Sequence, residues 1–211
     1  MPKLDTNLHL KNMVYWRKEP HEKADFFGLH WGDPQKMEPL RHVRDHFLLP
    51  YVNPDHVAVE IGPGGGRWTR YMLGFGHLYA FDYHQESLDQ LSQEFRAPYL
   101  YCIKNNGGDF PGLDDESVDF LFSFGTFVHL DFEIIETYLT NIERILKPGA
   151  IAVIQYSDKT KEAAQKNASF SENDPDRMRA AVLRAGYVIL EEDLTTMHHS
   201  AIVRFTRRNQ S

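Results

Sequence analysis

The sequence predicts an α/β fold: an open, mostly parallel seven-stranded sheet with helices on both faces and a C-terminal antiparallel hairpin. Three observations carry this. Short, near-continuous apolar runs recur between segments of helical periodicity, the pattern of strands covered on both faces. Parallel neighbours need long crossovers, and the intervening segments are long enough to supply them. The last two runs, Tyr187 to Leu194 and Ser200 to Thr206, are joined only by Thr195 to His199, too few residues for a helix, so they must pair antiparallel.

The elements follow in chain order. Residues 1–35 are polar and aromatic, with Trp16, Phe26, Phe27 and Trp31, and end at the turn Trp31-Gly32-Asp33-Pro34. A helix with Leu40, Val43 and Phe47 on one face then runs to a stop near Pro50. Residues 1–50 are read as an N-terminal cap segment and helix packed on the core, and residues 51–211 as the main domain. Five strands are expected at Val57 to Ile61, Leu78 to Phe81, Tyr99 to Ile103, Val118 to Phe124 and Ile151 to Tyr156.

Between them, Leu88, Leu91 and Phe95 mark one helix, and Ile135, Tyr138, Leu139, Ile142, Ile145 and Leu146 a stronger one. Asp131 is placed as the N-cap of the second, and Lys147-Pro148-Gly149 as the turn that stops it. Asp174-Pro175 opens a further helix that Gly186 closes. Residues 157–173, rich in Lys, Glu, Ser and Asn, read as a loop or lid, or alternatively as an extra short helix.

The 23 basic side chains are outnumbered by 30 acidic ones, a net charge of -7, and cluster only briefly at Arg67/Arg70 and Arg207-Arg208. That balance speaks against a nucleic-acid partner, which needs a concentrated basic surface. No apolar run reaches the roughly 18 residues of a membrane span, so no membrane partner is expected. The single cysteine, Cys102, excludes an intrachain disulfide and reads as a buried, inert thiol. Together with a first stretch that lacks a signal-like apolar core, this points to a cytoplasmic protein. The His42/His46 pair lacks a metalloprotease pattern and His198-His199 reads as a solvated turn, so no metal site is expected.

The sharpest signal is Glu60-Ile61-Gly62-Pro63-Gly64-Gly65-Gly66-Arg67, between the first strand and a helix expected from about Arg67. Glycines there permit a tight turn and a close ligand approach, and the helix start offers free N–H groups to an anion. A nicotinamide dinucleotide fingerprint wants Gly-x-Gly-x-x-Gly, and it fails here because Arg67 or Thr69 occupies the sixth position.

Glu-x-Gly-x-Gly-x-Gly with an acidic end to the next strand resembles the class I S-adenosylmethionine-dependent methyltransferases, over some three quarters of the chain from about Val57. The resemblance implies S-adenosylmethionine as cofactor, with Glu60 orienting its methionine amino group and Gly62, Gly64 and Gly66 passing beneath it. Asp82 then takes both ribose hydroxyls and Tyr83 lies beside the adenine. Asn106 faces the adenine amino group, with Asp109 as the substitute, and Gly107 and Phe124 complete the set. Arg67 reads either as a partner of the cofactor carboxylate or as a solvated arginine, and Trp68 as pocket wall or core. Relatives often carry an acidic residue where Gly125 stands, so no catalytic carboxylate is expected at that point.

Methyl transfer from a sulfonium mainly needs a positioned acceptor, and a hydroxyl acceptor also needs a base. His129, just after the fourth strand, leads, with Tyr156 and Asp158 next. His30 and Trp31 fit a cap over the acceptor. The expected acceptor is a small molecule, through O-methylation of a hydroxylated metabolite, natural product or sugar, with N-methylation of a small amine as the alternative. From other classes, a non-catalytic cofactor-binding module and a nicotinamide-dependent oxidoreductase remain open.

Overall fold

The computed structural model describes residues 28–208, without the His30 side chain. The aromatic stretch with Trp16, Phe26 and Phe27 and the first 27 residues of the cap segment assigned to residues 1–50 lie outside the described residues, as does the proposed role of the His30 side chain.

Seven strands form one sheet: β1 Val57–Ile61, β2 His77–Asp82, β3 Leu100–Lys104, β4 Val118–Ser123, β5 Leu146–Ser157, β6 Tyr187–Asp193 and β7 Ser200–Arg207. Their order is β3-β2-β1-β4-β5-β7-β6. β1 to β5 are parallel, and β7 runs antiparallel to both β5 and β6. The expected hairpin is present, and its second strand inserts between β5 and the edge strand β6. A dinucleotide fold would continue with a parallel strand reached by a helical crossover, so this topology removes the oxidoreductase reading.

The helices are α1 Glu38–His42, α2 Thr69–Met72, α3 Gln85–Glu94, α4 Phe132–Ile145, α5 Glu162–Gln165 and α6 Pro175–Arg184. Alternate strand residues feed two apolar layers. On one face Val59, Leu121, Ile154 and Val203 pack with Ile135, Ile142 and Ile145 of α4 and Met178 and Val182 of α6. On the other, Ala58, Phe120, Phe122, Val153 and Ile202 pack with Leu40, Val43, Phe47 and Met72. Full burial of one such side chain contributes about 1.5–3 kcal/mol. Ile142, wholly buried in the C-terminal part of α4, is a single change that would break the layer, at about 2–5 kcal/mol on truncation to alanine.

Several local expectations are corrected. The helix with Leu40, Val43 and Phe47 is α1 continued by a π turn over Val43–Leu48 and a 3-10 turn over Leu49–Tyr51. Lys147-Pro148-Gly149 is no free turn, because β5 begins at Leu146, opposite Val118, and absorbs these residues at an irregularity in the ladder. Lys147 Nζ there reaches both Asp119 carboxylate oxygens at 2.8 Å. Asp131 does precede α4, but its side chain caps nothing; its carbonyl accepts from Ile134 and Ile135. Asp174 is a true cap, its carboxylate accepting from the Arg177 N–H at 2.8 Å. Cys102 is half-buried on β3 rather than fully buried, because among the described residues no strand pairs with the far side of β3. Burial still pushes its thiol up to about 11, so it is protonated and unreactive at neutral pH.

Residues 158–173 contain the short helix α5 and are fastened at several points. Ser171 N–H donates to Val128 O and Lys159 N–H to Asn173 O, both at 2.8 Å. Lys161 Nζ donates to the carbonyls of Leu194, Met197 and Ser200. The segment is therefore stapled to the loops after β4 and before β7.

Candidate functional site at the carboxyl ends of the strands

In an open parallel sheet, ligands bind outside the carboxyl ends of the strands, where the order reverses. Here that point lies between β1 and β4, and the glycine loop sits on it. The loop's three glycines do different things. Gly62, at φ 70°, lies against Thr126, so a Cβ there would strike the Thr126 side chain. Gly66 is closed in by Phe95 and Leu91, so packing alone requires a glycine there. A Cβ on Gly64, at φ 54°, would meet no atom of the described residues within 4 Å. Open space at the apex is what a loop passing beneath a ligand needs. Thr126 Oγ1 lies 3.3 Å from both Ile61 O and Gly62 O, and Ser123 Oγ donates to Ile61 O at 2.9 Å, which ties the β1 and β4 loops together.

The helix expected from Arg67 starts only at Thr69, after consecutive turns, and is four residues long. So short a helix has little dipole to offer an anion. Positive charge comes instead from Arg67 itself. Its guanidinium donates to Trp31 O at 2.7 Å and lies over the rings of Trp68 and Phe124, at 5.6 and 5.7 Å from their centroids. Burial pulls it down to about 10, with Arg70 repulsion adding and Glu60 attraction opposing. It is thus not the solvated arginine of the second sequence reading. Beneath it, Glu60 is buried at 2% exposure and accepts from Thr69 Oγ1 at 2.6 Å. Burial pushes this carboxyl up to about 7, against the Thr69 hydrogen bond, and the Asp82 carboxylate pushes the same way.

Asp82 ends β2, half-buried, and accepts from the His84 N–H at 2.9 Å. Tyr83 beside it is exposed, with Lys104 Nζ 5.9 Å from its ring centroid. After β3 the two asparagines divide. Asn105 is buried and structural, donating to Tyr138 OH at 2.8 Å and accepting from the Gly107 N–H. Asn106 is exposed, with its N–H on the Asp109 carboxylate, which gives Asp109 a local partner. Gly107 is buried at φ 95°. Phe124 is almost fully buried and packs on Trp68 at 4.7 Å between centroids. Trp68 is itself core, at 2% exposure. Glu60, Gly62, Gly64, Asp82, Tyr83, Asn106, Gly107 and Phe124 therefore all gather on the carboxyl rim of β1 to β4, and Gly66 lies just below it.

On the other half of the rim, His129 is half-buried, and its Nδ1 lies 2.9 Å from Ser169 O. A carbonyl can only accept, so the neutral ring carries its proton on Nδ1 and its lone pair on Nε2. The two substitutes fare differently. Tyr156 is wholly buried with no partner for its hydroxyl, and burial raises its pKa. Asp158 is 1% exposed and satisfied by Thr160 Oγ1 at 2.6 Å, the Thr160 N–H and Lys161. Both are inside the protein, because the segment that follows folds over them.

Sequence reasoning passed over Gln155. It is buried, its Oε1 accepts from the Gly125 N–H at 2.7 Å, and its Nε2 donates to Ser200 Oγ at 2.7 Å. An amide within the apolar run Ile151 to Tyr156 was the available signal, since a buried polar side chain must find partners. His199 was read as solvated, and the structure corrects this. It packs against Phe170 at 5.2 Å, its Nδ1 is buried, and burial helped by His198 and Lys161 pushes it down to about 4. Phe170 contacts His129 at the same centroid distance.

Residues 59–154 match the model of a family described as methyltransferase domain. The matched stretch runs from β1 into β5. Solved structures agree on the fold. One is a chain of the complex between the Haloferax volcanii Trm112 methyltransferase activator and a methyltransferase. It is 18% identical, with TM-score 0.70 over 89% of this chain and 95% of that one. An S-adenosylmethionine-dependent methyltransferase from Mesorhizobium loti is 13% identical, with TM-score 0.69 over 82% and 99%. Geranyl diphosphate C-methyltransferase from Streptomyces coelicolor, in complex with Mg2+, geranyl diphosphate and S-adenosyl-L-homocysteine, is 15% identical, with TM-score 0.67 over 96% and 99%.

The cofactor such a methyltransferase fold implies is S-adenosylmethionine, and the site fits it. Open space lies above Gly64, a buried carboxyl awaits a cation at Glu60, and a second carboxylate stands at the next strand end in Asp82. Among the described residues no group of three or more His, Cys, Asp or Glu could hold a metal ion, and no helix is long and apolar enough to cross a membrane.

Proposed function

We propose that this methyltransferase acts on a small hydroxylated acceptor, using S-adenosylmethionine and His129 as the base. When bound, the cofactor supplies a methyl group on a sulfonium, already activated for transfer. Glu60 binds the cofactor's ammonium, Asp82 its ribose hydroxyls, and Tyr83, Asn106, Gly107 and Phe124 surround the adenosine side. Gly62 and Gly64 let the chain pass beneath it, and Gly66 keeps the loop seated on Phe95. Residues 51–211 form the cofactor-binding domain, and from the N-terminal segment Trp31 and Asp33 border it through Arg67 and Arg70.

The single observation that carries the role of His129 is its Nδ1 contact with Ser169 O at 2.9 Å. That contact holds the ring in the tautomer whose lone pair is on Nε2, the form that accepts a proton. Tyr156 and Asp158 are sequestered, which leaves His129 the better placed of the three. The net charge of -7 and the lack of a basic tract favour a small acceptor over a nucleic acid.

The test pairs two measurements on His129→Ala, once a screen with labelled cofactor has found an acceptor. Affinity for S-adenosylhomocysteine should stay within a factor of about two, while the single-turnover rate on a hydroxyl acceptor should fall by about 10²–10⁴. Full activity on a hydroxyl acceptor removes His129 from catalysis. Turnover of an amine with little loss in the variant replaces O-methylation by N-methylation, where geometry does most of the work.

A further inference from the structure

Phe170 stands between two histidines. Its ring centroid lies 5.2 Å from that of His129 and 5.2 Å from that of His199, edge to face at 68° in both cases. Backbone contacts fix this placement. Ser169 O meets His129 Nδ1 at 2.9 Å and the Ser171 N–H donates to Val128 O at 2.8 Å, so residues 169–171 run along the loop after β4. His199 is held from the other side, where its carbonyl accepts from the Asp158 N–H and its neighbour Ser200 takes the Gln155 amide. Three half-buried rings therefore form a row on the filled half of the rim.

Two features of the row point to a ligand. The first is polar. His199 Nδ1 is buried and has no hydrogen-bond partner among the described residues, and burial, with His198 and Lys161, keeps the ring neutral. A neutral imidazole carries one N–H and one lone pair, and a buried polar group is normally paired. The second is charge. All six charged side chains of residues 158–173 are paired within that segment: Asp158 with Lys161, Lys159 with Glu172, and Glu162 with Lys166. The row offers flat apolar surface and a neutral polar group, with the charges of the neighbouring segment already matched.

We propose that His199 and Phe170 determine acceptor specificity. The acceptor is an uncharged, flat hydroxyl compound that lies against Phe170, with its reacting hydroxyl at His129 and a second uncharged polar group hydrogen-bonded to His199. An aromatic acceptor gains more against Phe170 than its apolar area alone provides. An ionised group there would leave water with no counter-charge in residues 158–173 to meet it. The inference rests on the methyl-transfer reading with His129 as base and adds the class of acceptor to it.

Initial rates with labelled S-adenosylmethionine on a set of probes of similar size test it. The probes are para-hydroxybenzyl alcohol, which is flat and has a second uncharged polar group; para-ethylphenol, which lacks that group; para-hydroxybenzoate, which is anionic; and the saturated-ring counterpart of the first, which is not flat. The wild type should turn over para-hydroxybenzyl alcohol with kcat/KM about tenfold above each of the others. His199→Phe should bring its preference over para-ethylphenol close to unity, and Phe170→Leu its preference over the saturated ring. Both readouts are ratios within one protein sample, so partial unfolding of a variant does not alter them, and a merely structural role would move both acceptors together. Unchanged ratios in the variants, or a wild type that prefers the benzoate or the saturated ring, overturn the proposal. So does turnover of none of the probes by protein that binds S-adenosylhomocysteine, a result that leaves methyl transfer standing. Failure of the wild type to bind S-adenosylhomocysteine contradicts the methyl-transfer reading itself and the inference with it.

Discussion

The two halves of the carboxyl rim are built on opposite principles. Over β1 and β2 the chain leaves space and sets acid groups beside it: among the described residues nothing stands within 4 Å of a Gly64 Cβ, and carboxyl groups sit buried at Glu60 and half-buried at Asp82. Over β4, β5 and β7 it fills the space. Gln155 bridges two loops, Tyr156 and Asp158 are buried, and Lys161 caps three carbonyls of the β6–β7 connection. A ligand that is always the same can be met by a preformed cradle. The other half holds its loops at fixed positions through long-range hydrogen bonds.

The largest effect should come from crowding the cradle's hinge. Gly62→Val puts a branched side chain into Thr126 at a positive φ and should cost about 3 kcal/mol or more in denaturant unfolding. Gly64→Ala meets no atom and should cost only the backbone strain, about 1–2 kcal/mol, while affinity for S-adenosylhomocysteine drops. If the two variants were equally destabilised, the distinction between hinge and open apex would be lost.

Next in size is the bridge on the filled half. Gln155→Ala leaves Gly125 N–H and Ser200 Oγ without their partner. Stability should fall by about 1–3 kcal/mol, with cofactor affinity nearly unchanged. A loss of affinity equal to the loss of stability would mean that the two halves are not separable.

Much of this contrast could be read from the sequence on one half and little on the other. The glycine loop and Asp82 are local signals, a few residues of special type at strand ends. The seven apolar runs and the short Thr195–His199 connection likewise fixed the sheet and its hairpin. The roles of Gln155, Asp158 and His199 depend on partners many residues away; Gln155 meets Ser200 across 45 positions. Periodicity contains no term for that. For the same reason residues 157–173 could be read as a loop or lid as well as a short helix, and the structure shows the helix α5 together with Lys159 and Lys161 spent on carbonyls that composition does not reveal. The helix after the glycine loop was overestimated for a different reason: Gly64, Gly65 and Gly66 delay helix nucleation to Thr69.

A smaller effect concerns pH. Glu60 is held at about 7 in the folded chain against an ordinary 4.5. Between these values the folded protein keeps a proton that the unfolded chain has released. This contribution to stability therefore falls as pH rises from about 4.5 to 7. The cofactor's ammonium requires the ionised carboxyl, so affinity for S-adenosylhomocysteine should rise through the same window, approaching tenfold per pH unit at its acid end. Calorimetry from pH 5 to 8 reads the affinity, and Glu60→Gln should flatten the profile. A flat wild-type profile would take Glu60 away from the ammonium.

The smallest effect is the sharpest check on the filled half. The Tyr156 hydroxyl is buried without a partner, so Tyr156→Phe should change stability by less than about 0.5 kcal/mol or raise it slightly. Turnover should be unaffected. A large loss of turnover would return Tyr156 to the list of bases.

The central claim is that the open half of the rim binds the cofactor, with Asp82 on its ribose. Titration calorimetry of the wild type and Asp82→Ala with S-adenosylhomocysteine tests it most directly. The wild type should bind one equivalent and show no comparable binding of nicotinamide dinucleotides, and the variant should stay folded and bind about 1.5–3 kcal/mol more weakly. Unchanged affinity in Asp82→Ala, or dinucleotide binding in place of S-adenosylhomocysteine, would contradict it.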